Sequence, residues 1–562
     1  MYKKWIITSL SLLLMSHPTV PAQDLSKDIT LSGSIQSDIL FPQKDDEIDA
    51  TKGNDWAVTN TYAEVYLHSQ HVEVGTRFEY LKHPLPGYEK DLKGWGVPYA
   101  YIKGHYKETE LTIGSIYEQF GSGFILRTYE ERSLGIDNSL MGGRLVVKPL
   151  KGTTIKILSG RQRRYWNWNK AWVSGADMEM NIDEWSPSMQ KTNTTWTIGA
   201  SWVNKNEKDS PDIFADATHK VNIPRYVNAW DFRVNFHHGE WNLLAEYAQK
   251  TEDPSYANGY IFRSGSVAML STSYSKKGFS LLLQARRSEN MSFRSTNETS
   301  HSIGISSYVN HLPAFTKDHT YALETLYPYA TQIADGEWAY QAEAGYKFKR
   351  NTLLGGKYGM NLNANFSHVH SIQRAFQNGT SYRTLAGITD IAGTEGYSSP
   401  FFKWGNQTFY QDFDIQISKK MSPSFSLLFT YMNQQYNQTL AEGHGGMIHS
   451  NIFITDCKYK ITSKAILRSE LQYLTTADDQ GDWAFGLLEL SLAPHWMFTI
   501  SDMYNAGNTH LHYYQGFITL NKGSHRLQVG YGRTRAGYNC AGGICRYVPA
   551  HKGINSSYHY SF

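Results

Sequence analysis

The chain has 562 residues, with 54 basic side chains against 51 acidic ones and a formal net charge of +3. That balance excludes the concentrated basic face of a nucleic-acid binder, and no apolar run reaches the roughly 20 residues that a helical membrane span needs. Instead 38 Tyr, 25 Phe and 15 Trp accompany 46 Gly, a mixture suited to an all-β transmembrane barrel, whose rims carry aromatic girdles.

In chain order, Lys3 and Lys4 precede a short apolar stretch from Trp5 to Met15, and Val20-Pro21-Ala22 places small residues before Gln23. This pattern predicts a secretory signal peptide over 1–22, cleaved after Ala22. No Cys stands directly after the cleavage site, so a lipid anchor is not expected. Residues 23–562 are then expected to form a single domain, a barrel in a Gram-negative outer membrane. Alternation begins at Ile29, which leaves no room for a globular plug domain ahead of it.

Period two runs through the rest. Ile29, Leu31, Gly33, Ile35 and Ile39 oppose Thr30, Ser32, Ser34, Gln36 and Asp38. Val72, Val74, Phe78 and Tyr80 oppose His71, Glu73, Arg77 and Glu79. Phe413, Ile415 and Ile417 oppose Asp412, Asp414 and Gln416, and Phe425, Leu427, Phe429 and Tyr431 follow a turn. Such alternation is a strand signal, and its charged face is wet. Short connections are predicted near 70–71, 107–108, 151–152, 237–240, 276–278, 462–463, 493–494 and 521–523. Long ones are predicted at 41–58, 82–95, 117–139, 164–171, 205–224, 251–263, 288–335, 372–404 and 534–552. Outer-membrane barrels place short turns in the periplasm and long loops outside. Parity after 164 demands one further strand, which 172–183 supplies. The expectation is an antiparallel barrel of about 24 strands (22–26), with both termini in the periplasm. At the end, Ile554, Tyr558, Tyr560 and Phe562 alternate, like the closing-strand signal read by barrel insertion machinery.

The loop 117–139 is the main site candidate. Phe120-Gly-Ser-Gly123 permits a tight reversal, and apolar Phe124, Ile125 and Leu126 follow. Glu118, Arg127, Glu130, Glu131, Arg132 and Asp137 are expected to fold into the lumen, pair with Arg77, Glu79, Arg161 and Asp177, and narrow the channel. A solvated external loop is the alternative. Arg161 to Trp168 combines three Arg with Tyr165, Trp166 and Trp168; an aromatic belt is expected there, with sugar or lipopolysaccharide contact as the other reading. His368 with His370, and His510 with His512, share faces at i, i+2. No Cys or carboxylate completes a zinc set, so they are expected as polar lumen lining and no metal is assigned. The acidic run Asp45-Asp46-Glu47 with Asp49 lacks the spacing of a known calcium loop and is expected as a solvated tip, a Ca²⁺ site being the alternative. Cys540 and Cys545 flank a Gly-rich turn, which predicts a loop disulfide, two free thiols being the alternative. Cys457 is expected as a buried small apolar residue. Asp478-Asp479 and Glu442-Gly-His444 carry no companion motif, so neither an enzyme nor a cofactor is expected.

Several segments resemble those of one family. They are Tyr117 to Asn138, Ser174-Gly-Ala-Asp177, Asn290-Met-Ser-Phe-Arg294-Ser and Cys540-Ala-Gly-Gly-Ile-Cys545-Arg-Tyr-Val-Pro-Ala. The family comprises large outer-membrane barrels of Bacteroidota-type bacteria, catalogued as a domain of unknown function. The resemblance implies a barrel without an assigned activity and brings no catalytic residues. The resulting expectation is a porin-like channel for small hydrophilic solutes, constricted by 117–139. The alternative is a non-conducting structural or assembly scaffold that docks a partner protein through loops 288–335 and 372–404. The expected partners are outer-membrane lipid, lipopolysaccharide, the insertion machinery and such an outer-membrane protein, with no nucleic acid.

Overall fold

The alternating segments pair into one sheet of twenty-four antiparallel strands in a computed structural model. It describes residues 29–208, 210, 212–297, 307–377 and 390–562. The expected signal peptide lies outside the described residues. Each strand bonds to its chain neighbours, from Thr30–Gln43 to His551–Ser561. The last strand closes the ring, with Ser556 opposite Ile39 on one side and Val529 on the other. Closure leaves no unpaired edge in the sheet.

Period two divides the side chains between outside and inside. Phe232, Leu471 and Ile500 point outward and are 60%, 63% and 60% exposed. Their neighbours Asp231, Arg233, Glu470 and Gln472 point into the lumen and are buried. Aromatic rings gather on the outer surface at both ends of this apolar band. One group contains Trp338, Tyr340, His368, His370 and Trp404. The other contains Trp196 with Phe236, Trp241 with Tyr274, and Tyr346 with Phe348.

Both ends of the described chain lie at the second end. Connections there include 107–108, 151–152, 239–240, 277–278 and 523–524, but also the longer 182–193 and 349–359. The first of these holds a short helix, Pro187–Lys191, with Pro at its first turn. The opposite end carries 117–139, 290–297, 307–336, 373–377, 390–403 and 535–550. The long loop expected at 164–171 is instead a tight reversal. Tyr165 turns the chain with φ 54°, and the strand Asn167–Asn181 runs back from there, with a bulge between Trp168 and Trp172. The strand expected at 172–183 is the latter part of this one.

Candidate functional site

The hydrophobic core of this protein sits inside its barrel. Phe120, Phe124, Ile125 and Leu126 from the loop 117–139 are 0% exposed. They pack with Met291, Phe293, Val309, Leu312 and Phe315 from the loop 290–336. The lumen-facing Leu158, Val173, Val203 and Val227 complete the cluster. Gly121 makes the approach possible: its φ is +52°, and a Cβ there would lie 2.5 Å from Glu246 Oε1. The next residue, Ser122, donates its backbone N–H to that same carboxylate at 2.8 Å.

The two loops are sewn together along their backbones. Arg127 N–H donates to Val309 O (2.8 Å), and His311 N–H donates to Gly123 O (2.9 Å). Asn310 Nδ2 bridges Phe124 O (2.9 Å) and Met291 O (2.8 Å). The second loop then crosses the lumen to the far wall. Leu323 N–H donates to Gln472 (2.8 Å), Tyr321 Oη to Asp456 (3.2 Å), and Gln434 to Tyr327 O (3.2 Å). The hairpin Gly537–Val548 lies over it, with Thr331 N–H donating to Gly543 O at 3.0 Å. Cys540 and Cys545 are joined by a disulfide in this hairpin.

Buried charges are paired between loop and wall, because an isolated buried charge is costly. Arg77 contacts Glu79 (2.8 Å), Glu130 (2.9 Å) and Asp137. Arg163 joins the same network, 2.7 Å from Glu79 and 2.6 Å from Asp137. Burial alone would raise Asp137, but Arg163 and Arg77 outweigh it and hold that carboxyl below its ordinary value. Burial pushes Glu130 up despite its bond to Arg132. Arg132 reaches Glu64 at 2.5 Å and Glu130 at 2.7 Å. Glu118 meets Lys156 at 3.0 Å and Arg144.

The other expected residues sit elsewhere. Asp177 pairs with Arg233 (2.7 Å), strand to strand, and not with the loop. Among the described residues Arg161 donates only to Asn169 O (2.8 Å), and Arg163 occupies the place expected of it. Arg127 lies over the Tyr129 ring, 4.6 Å from its centroid. Glu131 caps a short turn by accepting from Ser133 N–H (3.1 Å). Ile554, Tyr558, Tyr560 and Phe562 share the outer face of the closing strand, Tyr560 stacking on Phe562 at 5.7 Å. His368 and His370 do not line the lumen. They share the outer face with Phe366 and stack 5.5 Å apart beside Trp404. His512 is also on the outer surface, 2.6 Å from Asp502. Cys457 faces outward, on the same side as Phe453 and Tyr459, and is half-buried. Asp45 and Glu47 are not free at a tip. Arg533 bonds Asp45 (2.8 Å) and Glu47 (2.7 Å), and Lys552 bonds Asp45 (3.0 Å).

The sequence reading missed one cluster. His319, Asp412 and Asp414 place ligand atoms within 4.8 Å of one another. Lys317 sits on Asp414, and His319 Nε2 lies 2.9 Å from Asp412. An ammonium already holds the place a cation would take, so the cluster fastens the loop to the wall. Asp412 and Glu324 raise His319 to about 9 against the downward pull of burial. His311, in the same loop, is pushed down to about 3 by burial and by the charges of Arg127 and Arg286.

The chain belongs to a family of unknown function (DUF6029), matched over residues 1–562. No curated protein matches it. Among solved structures it is similar to the translocation pore of the P pilus usher PapC, at 9% identity, 95% of this chain, 99% of that one and TM-score 0.44. It is also similar to the siderophore receptor PirA of Pseudomonas aeruginosa, at 10% identity, 97% of this chain, 81% of that one and TM-score 0.40. A third likeness is to the outer-membrane protein opdK of Pseudomonas aeruginosa, at 9% identity, 95% and 99% coverage and TM-score 0.36.

Proposed function

We propose that the protein is an outer-membrane barrel held shut by its own loops, a non-conducting scaffold in its resting state. The observation that carries this reading is the dry core inside the lumen, with Phe120, Phe124, Met291 and Phe293 all 0% exposed. A barrel of this strand number without a plug would enclose a wide aqueous channel. The outward apolar band, bounded by aromatic rings at both ends, supports placement in a bilayer. The long loops then face outward toward lipopolysaccharide, and a partner protein docks on the surface formed by the described parts of loops 288–335 and 372–404 and by 535–550. The aromatic closing strand suits recognition by the insertion machinery. Free diffusion of small hydrophilic solutes needs an open lumen, and the paired charges of Arg77, Arg132 and Arg163 speak for a filled one.

A second reading has one observation behind it. A space of about 760 Å³ remains between the loops and the wall formed by 483–534. A gated channel would open along that side. Single-channel conductance of the reconstituted protein at pH 6.5 separates the two readings, beside a variant lacking 121–136 and 307–331. Silence in the wild type with large conductance in the variant supports the shut barrel. Steady, ion-selective conductance in the wild type overturns it in favour of the porin-like channel.

A further inference from the structure

The apolar wall beneath the plug continues into a space that the plug leaves open. Barrel interiors are polar, yet here the inward faces of three successive strands carry Phe485, Leu487, Met503, Tyr513 and Phe517. These side chains are only half-buried, because no loop covers them fully. Opposite them stand two arginines from the 535–550 connection, Arg535 and Arg546. Neither forms an ion pair among the described residues, whereas Arg77, Arg163, Arg233, Arg286 and Arg533 all do. Arg535 donates only to the neighbouring Ala536 O, at 2.9 Å. Arg546 is held in place by carbonyls, donating to Ser133 O at 2.8 Å and Pro86 O at 3.3 Å. Its guanidinium lies 3.9 Å from the centre of the Tyr88 ring, and its Nε has no partner among the described residues. Burial lowers both guanidiniums below their ordinary value, with tyrosines acting in the opposite sense. The carboxylates that act on Arg535 through space are engaged elsewhere: Tyr327 bonds Asp479 (2.9 Å) and Tyr436 bonds Glu442 (3.0 Å).

We infer that this cavity is a binding site for an amphipathic anion, an apolar chain or ring that ends in a carboxylate or a phosphate. The apolar body lies against Phe485, Leu487, Met503 and Phe517, and the anionic head meets Arg535 and Arg546. About 760 Å³ lies within the range of small-molecule sites, roughly 300–1,000 Å³. A guanidinium is suited to either head through paired N–H donors. The inference goes beyond the shut barrel and does not depend on it, since a site on the wall can be filled whether or not the lumen conducts.

The test uses the full-length protein in lipid nanodiscs, with 11-(dansylamino)undecanoate as the fluorescent reporter. Decanoate, decyl phosphate, decanol and inorganic phosphate compete for it. Decanoate or decyl phosphate is expected to displace the reporter at least tenfold better than decanol, and whichever does so identifies the head group. Arg535→Gln with Arg546→Gln should weaken the anions by about ten- to a hundredfold and leave decanol unchanged. Met503→Trp keeps both arginines, fills the apolar side and should abolish reporter binding. Arg233→Gln, which removes a cation paired with Asp177 away from this cavity, should leave binding as it was. Heat-modifiable mobility on gels checks that each variant is a folded barrel. The inference is overturned if decanol competes as well as the anions, if the double arginine variant binds unchanged, or if Met503→Trp still binds the reporter. Inorganic phosphate competing as well as decyl phosphate overturns it too, because the site would then be one for bare anions.

Discussion

Arg163 and Arg161 are two residues apart and do different things. Arg163 is shared by Glu79 and Asp137, all three buried, while Arg161 meets one carbonyl. Removing one partner of a buried ion network leaves uncompensated charge and costs about 3–5 kcal/mol. Losing a single hydrogen bond to a carbonyl costs about 1 kcal/mol. Arg163→Met should therefore lower the urea midpoint of the reconstituted barrel far more than Arg161→Met. Equal midpoints for the two variants would contradict the network. His319 supplies a pH signature. It faces Asp412 and Glu324, with the Lys317–Asp414 pair beside it. Its folded value of about 9 lies above the ordinary 6.5. The folded state thus binds the proton more tightly, and the contribution is fully present below pH 6.5. It is lost as pH rises through about 9. His311 has the opposite sign: its value near 3 means that stability falls as pH drops from 6.5 toward 3. Channel openings of the wild type should become frequent between pH 6.5 and 9.5, while His319→Gln should already be leaky at pH 6.5 and change little above it. Parallel pH profiles would remove His319 from the latch.

At the scale of elements, the closing strand carries the largest single consequence. Ser556 lies mid-strand with partners on both sides, Ile39 and Val529. Proline there removes a ladder donor and is tolerated only on an edge, so Ser556→Pro should yield no heat-resistant compact barrel on gels. A normal band would mean that the ring does not close at that seam. Strands of this kind were legible from period two alone, as was the strand that parity demanded after 164. The face of His368 and His370 was expected toward the lumen and is the outer one, which Phe366 at the same period signals. Two things were not legible. Arg161 and Arg163 have the same parity on one strand, with the bulge between Trp168 and Trp172 opposite them, so counting by twos cannot say which arginine reaches Glu79. The mating of 117–139 with 290–336 rests on contacts such as Asn310 to Phe124 O, 186 residues apart. Irregular loops have no period, and nothing local records such pairing.

For the molecule as a whole, the barrel differs from a soluble sandwich in having apolar surfaces both inside and outside. The densest apolar packing lies in the lumen, and a second apolar surface faces away from it. That outer surface is stable only against lipid, since monomeric soluble proteins rarely leave contiguous apolar patches of more than a few hundred Å² exposed. Neighbouring residues of one strand separate the two environments. Ile500 points outward at mid-strand and is 60% exposed, beside Leu488 on the next strand. Thr499 points inward to the cavity, with Glu489 opposite it. An arginine on the lipid face near the bilayer midplane costs about 2–4 kcal/mol. On the lumen face it meets water and the Glu489 carboxylate. Ile500→Arg should therefore destabilise folding into lipid vesicles by about 2–4 kcal/mol, and Thr499→Arg by less than about 1 kcal/mol. The reverse order, or equal costs, would place water and not lipid around the barrel. The plug should not alter this ordering, because Ile500 touches only what surrounds the barrel. Deleting 121–136 from both variants should thus leave the difference between them unchanged.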